Sequence, residues 1–195
     1  MRRIGFLISV WVFACLLLAN AQAAQMGFMG IGGRLGYIKP EDPIESTFGF
    51  GVVADLGTIV PALRLEGSLD YWSKSYEAGY MGLMDAEWKY SDLMIGATAK
   101  YMIPTQGKVS PFAGGGLALH MFSYEYEYEY INPFDPSDIS HEKYDDSETD
   151  IGFHAVGGAE MALSPNLRGA LEARYAIADP DHFGIFFLLT YLLKP

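Results

Sequence analysis

Leu167-Arg168-Gly169-Ala170-Leu171-Glu172-Ala173-Arg174-Tyr175 places apolar or small residues at every odd position and charges at three of its four even positions. Leu63-Arg64-Leu65-Glu66-Gly67-Ser68-Leu69-Asp70-Tyr71 repeats the pattern. A period of two belongs to a β-strand with two unlike faces. In a water-soluble sheet the apolar face turns toward a core. In a closed sheet embedded in lipid the sense inverts, with apolar residues outside and charges inside.

The N-terminus bears on that choice. Arg2-Arg3 precedes a largely apolar run from Ile4 to Ala19, and Ala21-Gln22-Ala23 follows as a small-x-small site. This is the layout of a secretory signal cleaved near residue 24, leaving residues 25–195 as one domain. The run is shorter than the ~20 residues that a spanning helix needs. The only cysteine, Cys15, lies within it, so the exported domain is expected to carry no thiol chemistry. No later stretch reaches the ~18 continuous apolar residues of a transmembrane helix. Yet half the chain is hydrophobic, with 13 Tyr, 12 Phe and 22 Gly, and this content arrives in short alternating pieces. A net charge of −11 disfavours nucleic acid and anionic headgroups as direct partners.

Eight segments separate, at residues 30–38, 47–56, 63–76, 87–102, 109–130, 149–163, 167–176 and 182–193. Lys39-Pro40, Gly57 to Pro61, Pro104 to Gly107 and Ser164-Pro165-Asn166 punctuate them. No helical period appears after the signal, so the pattern predicts an all-β, eight-stranded antiparallel up-and-down barrel. The connections alternate in length. Residues 57–62, 103–108 and 164–166 are short, whereas the fifth connection spans residues 131–148. Short turns at one rim and long loops at the other are the anatomy of an outer-membrane barrel, with both termini on the periplasmic side.

The faces can be summed across strands. One collects Leu35, Tyr37, Phe48, Phe50, Val52, Leu63, Leu65, Leu69, Ile95, Tyr101, Ile151 and Phe153. Leu167, Leu171, Tyr175, Ile185, Phe187, Leu189 and Tyr191 join them. The other collects Arg34, Asp55, Arg64, Glu66, Asp70, Lys100, Glu160, Arg168, Glu172 and Arg174, five basic and five acidic residues. Facing lipid, each Arg would cost ~2–4 kcal/mol near the midplane, so the charges are expected to fill the lumen. There Arg168, Glu172 and Arg174 are expected to meet Glu66, Arg64 and Asp70. A secreted soluble barrel holding a small apolar ligand is the alternative, with the charges in water.

Ser110-Pro111-Phe112-Ala113-Gly114-Gly115-Gly116-Leu117 resembles the proline-aromatic-glycine strand opening of small OmpA-like outer-membrane barrels. Gly157-Gly158-Ala159-Glu160, Leu163-Ser164-Pro165-Asn166-Leu167 and Leu171-Glu172-Ala173-Arg174-Tyr175 resemble that family's sixth strand, tight turn and seventh strand. The run from His182 to Leu189 resembles the polar-glycine-hydrophobic signal read by the barrel-assembly machinery. The resemblance implies an outer-membrane location among lipid and lipopolysaccharide, without the peptidoglycan-binding domain of larger relatives. It also implies a structural, surface-interaction or binding role. Eight strands leave room only for side chains, so no open pore is expected.

Tyr124-Glu125-Tyr126-Glu127-Tyr128-Glu129-Tyr130 puts four tyrosines on one strand face and three glutamates on the other. The expectation is a strand rising past the membrane surface, its lower tyrosines in the aromatic girdle, or a ribbon that binds cations or glycans. Leu117, Leu119 and Met121 share the parity of the glutamates, which suggests a bulge within the strand. Residues 125–150 hold ten Asp or Glu and one Lys, a candidate for Ca²⁺ or Mg²⁺, although the spacing fits no EF-hand and otherwise suits a solvated loop. No cofactor and no resident metal are implied. A lipid-modifying enzyme, the other functional alternative, would need a Ser, a His and a carboxylate converging on one rim. His120 and Ser123, at i and i+3, face opposite sides, and no catalytic set is assigned. Gly114-Gly115-Gly116 lacks the following helix that a phosphate cradle requires.

Overall fold

The computed structural model describes residues 25–80, 84–131, 134 and 139–193. The expected signal, residues 1–24, and the turns at Asn132-Pro133 and Asp135-Pro136 lie outside them. Eight antiparallel strands close into a barrel in sequence order. They are β1 (Gln25–Pro40), β2 (Thr47–Val60), β3 (Leu63–Tyr80), β4 (Met84–Met102), β5 (Val109–Ile131), β6 (Ile139–Ser164), β7 (Leu167–Ile177) and β8 (His182–Leu192). Eleven register pairs, from Gly30↔Leu192 to Pro40↔His182, join β1 to β8 and leave the barrel wall without an edge.

Burial settles the sense of the alternation. Phe48 is 69 % exposed and Ile151 64 %, whereas Glu172 is 0 % and Arg174 1 %. A surface of large apolar side chains over an interior of charges is the inverse of a soluble core. The odd-numbered residues of β7 form the outer wall and its even-numbered residues the lining, and the β3 repeat does the same.

Register shifts cluster at the rim of short turns. They fall between Met26 and Gly30 in the β1–β2 ladder, between Asp55 and Val60 in β2–β3, and between Ala162 and Ser164 in β6–β7. Gly57 adopts φ +86° there, and its N–H donates to Asp55 Oδ1 at 2.9 Å. A side chain would be strained in that backbone state. The bulge expected in the fifth strand is not present. β5 pairs in unbroken register with β4 from Met102↔Phe112 to Met84↔Tyr130 and with β6 from Val109↔Met161 to Ile131↔Ile139.

The strands are unequal, and this shapes the opposite rim. β3 to β6 hold 18 to 26 residues, whereas β7 and β8 hold 11 each. β7 pairs with β6 only up to Ile177↔Phe153, and β2 leaves β3 at Gly49↔Trp72. The upper parts of β3–β6 therefore stand clear as a four-stranded sheet. Most of the acidic stretch expected as a loop belongs to this sheet, because residues 139–148 are strand paired to β5. Their charges fall on both faces, each exposed, so no hydrophobic period marks them.

Candidate functional site

Two features stand out: the lumen and the sheet above it. At the short-turn end, four strands contribute a ring of alternating charge. Arg64 Nη1 lies 2.6 Å from Glu160 Oε2 and its Nε lies 3.7 Å from Asp55 Oδ2. Arg168 closes the ring, with Nη1 2.9 Å from Asp55 Oδ2 and Nε 3.4 Å from Glu160 Oε1.

A second network lies deeper. Arg34 grips Asp70 through Nε and Nη2, and its Nη1 reaches Glu172 Oε1 at 3.4 Å. Glu172 Oε1 also accepts from Arg174 Nη2 at 2.9 Å, and its Oε2 lies 2.6 Å from Lys100 Nζ. Lys100 donates to both oxygens of Glu66, at 2.9 and 2.8 Å. Phe186 lies under the Arg34 guanidinium and Phe112 under the Lys100 ammonium. Three cations thus meet three anions in a buried interior, where an unmatched charge costs several kcal/mol. All ten charged residues assigned to the lumen face from sequence lie in these two networks. The expected pairings differ. Arg168 meets Asp55 and Glu160, and Arg174 and Glu172 meet each other, because Arg64 and Arg168 lie in the ring at the short-turn end while Glu172 and Arg174 lie in the deeper network.

Above these networks the lumen turns less charged. His154 Nε2 shares a 2.8 Å hydrogen bond with Thr98 Oγ1, and His120 Nδ1 shares one of 2.8 Å with Asp92 Oδ2. The His182 ring lies 5.7 Å from that of His120 and 6.4 Å from that of Trp72. Ile38, Trp72 and Phe186 then gather around Ile44, which the β1–β2 connection turns inward and buries. The Glu45 backbone N–H donates to the Tyr76 hydroxyl oxygen, and Lys74 Nζ lies 3.0 Å from the Glu45 carboxylate, so this connection is tied across the mouth. Ser123 shares its row with Ser91 and Ser147 on the outer face, away from His120. Sequence reasoning missed Asp92, Trp72 and Ile44. Asp92 and Trp72 do follow the even parity of Lys100 and Asp70 on their own strands.

The projecting sheet has two unlike faces. Its inner face continues the lumen wall in rows that follow the register: Lys74–Tyr90–Tyr124–Asp146, Tyr76–Trp88–Tyr126–Tyr144 and Ala78–Ala86–Tyr128–Glu142. Tyr76 stacks on Trp88 at 6.1 Å and 18°, and Tyr90 packs on Tyr124 at 5.1 Å. Tyr124, Tyr126 and Tyr128 therefore belong to the inside of this sheet and not to a girdle facing lipid. An even number of residues separates them from Phe112 and His120, so the lumen parity carries upward. Glu125, Glu127 and Glu129 take the outer face, above Leu117, Leu119 and Met121. Glu77, Glu87 and Glu127 lie side by side across three strands, and an acidic depression of about 600 Å³ runs between them, Glu129 and His141. Among the described residues no group of three or more His, Cys, Asp or Glu is disposed to hold a metal ion.

A family model described as outer membrane protein beta-barrel domain matches residues 11–186. Among solved structures, Neisserial surface protein A is similar at 19 % identity and TM-score 0.57, covering 84 % of this chain and 96 % of that one. The attachment invasion locus protein Ail of Yersinia pestis follows at 15 % identity and TM-score 0.49, over 86 % and 99 %. The N-terminal β-barrel domain of Pseudomonas aeruginosa OprF gives 12 % and 0.44, over 85 % and 99 %. No curated protein matches the chain.

Proposed function

Because this chain belongs to the outer membrane protein beta-barrel domain family, and so resides in the outer membrane, we propose that it is a closed scaffold displaying a recognition sheet at the cell surface. One observation carries the proposal. Below the mouth the interior is filled by paired charges and covered by Ile44 and Trp72, while above it β3–β6 continue with two chemically distinct faces and no lumen to line. A wall that only had to span the bilayer would need ~9–11 residues per strand, as β7 and β8 have. β3–β6 are far longer, and their surplus is the working part.

The rim of short turns is then periplasmic and the sheet extracellular. Outer-membrane lipid covers the belt of Leu35, Phe50, Ile95 and Leu171, with lipopolysaccharide around its upper edge. The barrel-assembly machinery is the natural route of insertion. The role is binding and not catalysis, supported by the placement of Ser123 and His120 on opposite faces.

Two measurements test this. Cysteines introduced by Lys143→Cys, in the sheet, and Gln106→Cys, in a short turn, are exposed to a membrane-impermeant thiol reagent on intact cells. Labelling at 143 alone is expected, and the reverse pattern would refute the orientation. In planar bilayers the protein should give no steady conductance, and an open channel would refute the closed scaffold.

A further inference from the structure

We propose that the inner face of the extracellular sheet binds a basic, extended segment of a partner polypeptide, seating its Lys and Arg side chains on the aromatic rows and against the carboxylates of β6. The inference rests on the surface-recognition role proposed above and names the partner's chemistry. Three observations support it.

First, aromatic rings and carboxylates are adjacent in register. Tyr124 is paired with Asp146, Phe122 with Glu148 and Tyr128 with Glu142. A cation held over a ring face and beside a carboxylate gains from both. Second, these carboxylates lack a cation of their own. None of the ion pairs among the described residues engages Glu142, Asp146, Glu148 or Asp150, and the lysines of the outer face, Lys89 and Lys143, point the other way. Third, the chain already shows the arrangement once. Lys74 Nζ lies 5.5 Å from the centre of the Tyr76 ring and 3.0 Å from the Glu45 carboxylate, at the β3 end of the same face.

The spacing favours a polypeptide. Asp146, Glu148 and Asp150 recur at every second residue on one face, about 7 Å apart, which matches alternate side chains of an extended chain. A sulfated glycan would meet like charge, and a neutral glycan would stack on the tyrosines without using the carboxylates. Tyr144 is 58 % exposed and Tyr124, Tyr126 and Trp88 are half-buried, so the rings are reachable from solvent.

The test is binding of a labelled peptide of about twelve residues with Lys at alternate positions, by anisotropy, to the full barrel in zwitterionic nanodiscs. The combined variant Glu142→Gln, Asp146→Asn, Glu148→Gln and the pair Tyr126→Ser, Tyr128→Ser should each weaken it at least about tenfold, while Tyr126→Phe retains it. Raising salt from about 0.05 to 0.5 M should weaken it comparably. Absence of binding, or binding indifferent to both variants, overturns the proposal. Tyrosine-dependent binding of a chitin oligosaccharide or a heparin fragment in place of the peptide also overturns it, while leaving the surface-recognition role standing. Failure of that role would register separately, as a residue 143 that cannot be labelled on intact cells.

Discussion

Glu172 is the residue on which the lumen turns. Its two oxygens meet Arg34, Arg174 and Lys100, and it is wholly buried. Glu172→Gln keeps the volume and leaves three cations facing one another with two carboxylates. A loss of about 3–5 kcal/mol is expected, read as a lower urea midpoint in detergent or as earlier collapse of the compact band on heating before electrophoresis. Gly116 makes a different demand. A Cβ there would stand 1.9 Å from the Ala97 carbonyl oxygen and 2.7 Å from His154 Nε2. Gly116→Ala must therefore push the β4 and β5 backbones apart. It should cost about 1–3 kcal/mol or more on the same assay, and an unchanged midpoint would show that the strands can separate freely there. The glycine run thus serves close approach of two strands.

At the scale of elements, the sequence was legible wherever one face met lipid and the other did not. β2, β3, β7 and β8 begin within a residue of where alternation begins, because a one-residue slip would exchange lipid-facing Leu171 with Glu172. β6 was legible only from residue 149 onward. Below that number both faces are in water, and the solvent no longer imposes a period on Glu142 to Glu148. The lower tyrosines of the run line the inside of the sheet and not the expected girdle for a related reason. Aromatic residues suit a lipid interface and a sheet interior alike, and only counting parity from Phe112 distinguishes them. The pairing inside the lumen was illegible because Arg34 and Glu172 are 138 residues apart. The free margin of β6, residues 139–152, also carries a consequence. An unpaired edge invites another edge, and Glu142, Asp145, Asp146 and Glu148 oppose that by repulsion. Replacing these four with Thr should yield dimers on size-exclusion chromatography in detergent, and a persistent monomer would show that charge is not what keeps the edges apart.

For the whole molecule, the five cations and five anions of the two lumen networks cancel, so the net charge of −11 lies outside them. Stability and recognition should therefore respond differently to salt. Buried pairs are barely screened, so the unfolding free energy should change by less than about 0.5 kcal/mol between about 0.05 and 0.5 M NaCl. A large shift would mean that water reaches the networks. The closure of β1 on β8 has a last consequence. Gly30 faces Leu192 across that seam at the short-turn rim, so the ring has no privileged first strand. The order in which a gene spells the strands should then be negotiable. A circular permutant that links residues 25 and 193 through about five residues, and opens instead between Pro165 and Asn166, should rebuild the same barrel with the same heat-dependent gel shift. The wall is a cycle, and its ends are a convention of transcription.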